Sequence, residues 1–205
     1  MAAILFYTNP MSRGQIARWA LHEAGAEYEQ VLLDYAGSMK SPEFLAINPM
    51  GKVPAILSGG QVVTECAAIC AWLADSYPEA GLAPTAAERA DYYRWLFFAA
   101  GPVEAAVTNH AMGFDPAPDK EMTFGYGNYD RVVDVLEALF EGRDYVCGER
   151  FTAADIYVGS QILWGTQFGT LPKRPSLELY CERLSARPAY QSAKAIDAEL
   201  IAQAG

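Results

Sequence analysis

Two rhythms of apolar and polar positions divide the chain. Residues 3–7 form a short apolar run that predicts a strand, and a turn follows at Asn9-Pro10. Ser12 then opens a segment in which Ile16, Ala20 and Ala24 recur at helical spacing until Gly25 stops it. A second strand is expected over 28–33, and Ser41-Pro42-Glu43-Phe44 sets a capping Ser before a Pro at the first helical position. Residues 55–57 and 61–63 flank Ser58-Gly59-Gly60, which predicts a hairpin, and a small-residue helix runs from Glu65 to about Ser76. The resulting order is βαβαββα.

A Pro- and Gly-punctuated connector follows, from Tyr77-Pro78 to Ala83-Pro84-Thr85. From Ala86 onward the strand rhythm is gone. Helical stretches take its place: Tyr92, Trp95, Leu96 and Phe98 first, then 132–140, 154–164 and 177–184. The pattern predicts an α/β domain over 1–80 and an all-α helical bundle over 86–205, with no internal repeat. Gly101-Pro102 lies inside a helical pattern and should bend it. Thr152-Ala153-Ala154-Asp155 reads as a capping box that starts a helix.

Composition narrows the function. Of 205 residues, 52% are hydrophobic and 20% charged, enough for a core and a solvated surface. No apolar run is long enough to cross a bilayer, and the first residues lack the basic lead of a signal peptide. The formal charge of −10 argues against nucleic acid and anionic membrane as partners. Arg13 and Lys52 could still make a local cationic pocket for a small anion. The four cysteines, Cys66, Cys70, Cys147 and Cys181, form no CxxC pair, and His22 and His110 are scattered. Reduced buried thiols are expected rather than metal ligands, in a cytoplasmic protein.

The chemistry concentrates in 48–57 and 64–69. A Val53–Pro54 bond between a Gly turn and an apolar strand leaves the Val53 N–H and C=O free to meet an extended ligand. Glu65 begins a helix whose N-terminus favours a carboxylate. These features suit a short acidic peptide held by its main chain and its charged end. Ser12, where a loop becomes a helix, can serve as an ordinary N-cap or can donate to a thiolate and lower that thiol's pKa. Tyr7 can do the same through its phenol, or can simply pack.

Asn48-Pro49, Gly51, Val53-Pro54 and Glu65-Cys66, with Tyr7, Ser12 and Arg13 upstream and 151–155 downstream, resemble the glutathione transferase superfamily. The likeness is to Ser-type members of theta or beta character, and Cys66 stands where the family usually has Ser. It implies a thioredoxin-like first domain, a cis Val53–Pro54 bond, and glutathione as co-substrate without metal, nucleotide or flavin. Implied roles are thiol activation by Ser12, with Tyr7 as the rival, and Arg13 close to the sulfur or another anionic group. Val53 and Pro54 would take the cysteinyl part, Glu65 and Cys66 the γ-glutamyl end, and Lys52 the glycyl carboxylate. Met39 stands where theta-like members carry a second, basic anchor. Phe97, Thr108 and Trp164 are expected to wall an apolar electrophile pocket.

The resemblance further implies detoxification chemistry and a homodimer, whose contact is expected around Ala67, Cys70, Ala71 and Tyr92. Two alternatives stand beside conjugation: a non-catalytic ligand-binding or interaction protein of the same fold, and a glutathione-dependent reductase, peroxidase or isomerase.

Overall fold

Alternation in Ile4–Thr8 buries Ile4, Phe6 and Thr8 on one side and half-buries Leu5 and Tyr7 on the other, so this strand, β1, is covered on both faces. The computed structural model describes residues 3–204. Within it β1 pairs in parallel with β2 (Tyr28–Leu32) and antiparallel with β3 (Ala55–Ser58); β3 pairs antiparallel with β4 (Gln61–Thr64). The sheet order is β2-β1-β3-β4. A parallel pair needs a crossover, and α1 (Gly14–Ala24) provides it, ending on Gly25 at φ 64°. The β3–β4 hairpin turns on Gly59 and Gly60, with φ of 56° and 82°, the positive values that such a two-residue turn demands. β2 lies at the sheet edge, and Glu29 and Gln30 are accordingly exposed.

One face of the sheet meets Ile16, Ala17, Ala20 and Leu21 of α1, with Ile69, Cys70 and Leu73 of α3 (Cys66–Ser76) in the same buried layer. The other face carries Met39, Phe44 and Ala55, onto which Tyr7, Leu33, Ile47 and Val53 pack. Phe44 belongs to α2 (Pro42–Leu45), capped by the Ser41 hydroxyl accepting from the Phe44 N–H at 3.3 Å. The expected βαβαββα order is therefore present.

Contacts gather residues 3–83 with 186–204 in one unit and 84–185 in another. The sequence-based bounds of 1–80 and 86–205 differ from this grouping at the C-terminal helix, α9 (Pro188–Ala204), which packs on α1. Arg18 of α1 and Asp197 of α9, both essentially buried, form an ion pair at 3.0 Å. Arg187 grips Glu23 bidentately at 2.6 and 2.7 Å, and Trp19 meets Tyr190 edge-to-face at 5.0 Å. The period of a helix reveals its apolar stripe but not which sheet or bundle receives it.

The second unit consists of α4 (Arg89–Phe98), α5 (Glu104–Ala111), α6 (Tyr129–Leu139), α7 (Ala153–Phe168) and α8 (Pro175–Ser185). Between α4 and α5 the chain widens into a π-type segment, Ala99–Val103, where Pro102 lacks the N–H that an α-helix would use. α7 is the core: residues 153–160 are all buried. It opens with the expected capping box, Thr152 and Asp155 exchanging bonds with each other's backbone. Asp155 also accepts from the Val146 N–H at 2.7 Å and the Tyr180 hydroxyl at 2.9 Å. Burial pushes its carboxyl up to about 6, against the pull of those donors.

Of the residues named for the expected dimer contact, Cys70 is 0% exposed and Tyr92 2%, so neither side chain is on the surface, while Ala67 and Ala71 are half-buried. All four cysteines are free thiols, with burial pushing Cys70 up to about 12 and Cys147 and Cys181 to about 11.

Candidate active site

β1 delivers the chain at Thr8 into a tight loop that precedes α1. Asn9 organises this loop: its side-chain amide donates to the Leu33 carbonyl at 2.8 Å and its side-chain oxygen accepts from the Met11 N–H at 2.9 Å. The Asn9 carbonyl receives both the Ser12 N–H, at 3.1 Å, and the Ser12 hydroxyl, at 2.6 Å. The Ser12 oxygen in turn accepts from the Gly14 N–H at 2.9 Å. Ser12 is thus one residue outside the helix; the N-cap is Arg13, which makes no side-chain cap bond. With Thr8 present residue 14 has no room for a side chain, since a Cβ would lie 2.0 Å from the Thr8 hydroxyl oxygen and 3.0 Å from that of Ser12.

The β3–β4 hairpin supplies the opposite wall. Ala55 pairs with Thr64, so Pro54 and Glu65 follow at the open end of the hairpin, and Tyr7 pairs with Ala55. The Val53–Pro54 peptide is cis. Glu65 has φ 66°, a value rare for any residue with a side chain; its carboxylate is exposed and pairs with no other group among the described residues. Cys66 begins α3 and is buried, and its thiol donates to the Arg13 carbonyl at 3.4 Å. That contact joins the starts of α1 and α3. Two helix N-termini, each favouring negative charge, therefore lie beside Ser12, Pro54 and Glu65.

Tyr7 is half-buried, its ring tilted against Phe44 with centroids 5.5 Å apart. Lys52 is exposed, and its backbone carbonyl is tied to the Asn48 side chain at 2.7 Å. Met39, which offers Lys52 no basic partner, is a core residue, 1% exposed. The next residue supplies one: the Lys40 ammonium donates to the Gly51 carbonyl at 2.6 Å, beside Lys52. The signal was present only as a lysine before the Ser41 cap, and the fold alone brings residue 40 to residue 51.

In the second unit, Phe97 of α4 is 69% exposed, Thr108 of α5 is exposed, and Trp164 of α7 is half-buried against Phe168. The three belong to different helices.

A thioredoxin-like domain with a cis-proline cleft and two converging helix starts, joined in one chain to a helical domain, defines a glutathione-handling class of protein. The comparisons make it specific. The family described as "Glutathione S-transferase, N-terminal domain" matches residues 2–75, and "Glutathione S-transferase, C-terminal domain" matches 116–188. Glutathione S-transferase 3 of Zea mays is 30% identical over 208 residues, covering 93% of each chain. The glutathione transferase of Methylococcus capsulatus superposes with a TM-score of 0.76 at 31% identity, over 96% of this chain and 99% of that one. A theta class glutathione S-transferase from Xanthomonas axonopodis pv. citri, solved with glutathione bound, gives 0.74 at 29% identity over 94% and 97%. The chain belongs to the glutathione S-transferase family.

Proposed function

We propose that this enzyme activates the glutathione thiol with Ser12 and directs the sulfur at an electrophilic carbon of an apolar compound. The observation that supports this reading is the thiol–carbonyl contact from Cys66 to Arg13, which joins the start of α1, next to Ser12, to the start of α3, next to Glu65. Glutathione lies extended, its cysteinyl part against the Val53 main chain. Its ammonium pairs with Glu65, and its γ-glutamyl carboxylate takes the N–H groups at Cys66. The glycyl carboxylate faces Lys52 and Lys40. Arg13 adds positive charge at the start of α1.

Ser12 has one proton to give, and without ligand it goes to the Asn9 carbonyl. A bound thiolate is the better acceptor, because a charge-assisted bond is about twice as strong as a neutral one. The exchange leaves no orphan, since the Asn9 carbonyl keeps the Ser12 N–H. The Gly14 N–H polarises the same oxygen and strengthens its donation. The thiol proton passes to water, the sulfur forms a bond to carbon, and the leaving group departs with its electron pair.

Ser12→Ala tests this. The loss of a bond to a charged group, about 1.5–3 kcal/mol, should slow turnover roughly ten- to a hundredfold and raise the pKa of bound glutathione, read from ultraviolet thiolate absorbance. Tyr7→Phe should change both much less. Abolished activity in Tyr7→Phe with an intact thiolate titration in Ser12→Ala would reverse the roles.

A further inference from the structure

We propose that Lys194, on the C-terminal helix α9, is a positioning residue for Ser12, acting through Gln15 and the loop 9–12. This rests on the reading of Ser12 as thiol activator. The Lys194 ammonium donates to the Gln15 side-chain oxygen at 2.8 Å. The Gln15 side-chain nitrogen donates in turn to the Pro10 carbonyl at 2.6 Å. The amide orientation follows from chemistry: an ammonium only donates and a carbonyl only accepts, so one end of Gln15 must face each. Lys194 thereby fixes the rotamer that holds the carbonyl two residues before Ser12. The next carbonyl, of Met11, is held by the Tyr35 hydroxyl at 2.9 Å, and that of Asn9 by Ser12 itself.

The Asn9 carbonyl is thus held from within the loop, that of Met11 by Tyr35 and that of Pro10 by Gln15, and it is the Pro10 clamp that is relayed from α9. A hydroxyl must point at the sulfur within a few tenths of an ångström to donate well, so freeing the Pro10 peptide weakens that aim. Glutathione affinity depends instead on Glu65, Cys66 and the hairpin, which the relay does not touch. The signature is therefore a change in turnover and thiol pKa with little change in glutathione KM.

The test uses Lys194→Met, Lys194→Arg and Gln15→Glu in the full chain, with Ser12→Ala alongside. Lys194→Met should lower kcat roughly three- to tenfold, the range one neutral hydrogen bond commands, and raise the pKa of bound glutathione by roughly half a unit. Lys194→Arg should restore both, because a guanidinium can still donate to Gln15. Gln15→Glu keeps and strengthens the pair with Lys194 but turns a carboxylate toward the Pro10 carbonyl. It should lose activity like Lys194→Met while melting no lower than the parent protein, which separates positioning from lost stability. Unchanged kcat and thiol pKa in Lys194→Met and Gln15→Glu, with a raised pKa in Ser12→Ala, would overturn the relay alone. An unchanged thiol pKa in Ser12→Ala would overturn the reading beneath it.

Discussion

Glu65 joins an unpaired carboxylate to a backbone φ of 66°, and the two facts belong together. A non-glycine residue held there costs roughly 1–3 kcal/mol and persists where the surroundings impose it, often at a ligand site. Glu65→Gly should therefore raise stability by about 1 kcal/mol, seen in denaturant unfolding. The same change should weaken glutathione binding roughly ten- to a hundredfold in calorimetry, because a charged hydrogen bond is lost. Cys66→Ser should keep or tighten binding, since a hydroxyl donates better than a thiol. At this scale the sequence showed Ser12 ahead of a helix, a Val53–Pro54 bond and Glu65 at a helix start, but not the bonding around them. The Asn9 carbonyl that occupies the Ser12 proton, and Lys40 beside Gly51, depend on loop paths that no local spacing encodes.

Among the elements, α7 shows how closely a buried helix is fitted. A Cβ at Gly165 would lie 2.5, 2.6 and 2.9 Å from Cδ1, Cγ and Cβ of Leu171, so the stem of the neighbour, not merely its tip, is in the way. Gly165→Ala should cost about 1–3 kcal/mol, measurable as a lowered unfolding midpoint. Asp155 gives the helix a pH dependence. Its folded pKa, about 6, lies above the ordinary 3.8, so its contribution to stability is full below about 4 and is lost as pH rises through about 6. Asp155→Asn sets an amide N–H₂ against backbone and hydroxyl donors and should destabilise by about 1–3 kcal/mol. That deficit should shrink between pH 4 and pH 6, as parallel unfolding curves would reveal. The capping box was legible because its signal is local. α5 and the true partner of α9 were not, because a π-type segment and a helix–helix contact leave no periodic mark.

For the molecule as a whole, a charge of −10 surrounds a cleft that must accept an anionic peptide. On the proposed reading Arg13, Lys40 and Lys52 resolve the conflict locally, since beyond about 8–10 Å salt screens the remaining carboxylates. Paired removal of Lys40 and Lys52 should raise glutathione KM far more than it alters kcat at saturating glutathione. We also propose a homodimer, with light scattering expected to give twice the chain mass at micromolar concentration. A single-chain mass would overturn it. The division into a sheet-bearing unit and a helical unit was readable from the change of rhythm near residue 86, while the return of the last helix to the first unit was not.

The close approach of Gly14 to Thr8 has an evolutionary meaning. The Thr8 hydroxyl is buried without a hydrogen-bond partner, and the space a methyl at residue 14 would need is the space it fills. The two positions form a single heritable choice rather than two. In a selection from a library randomised at both, alanine at 14 should be recovered only with alanine or glycine at 8, and threonine at 8 only with glycine at 14. Independent recovery of the two would mean that the strand and the helix can drift apart without loss of function.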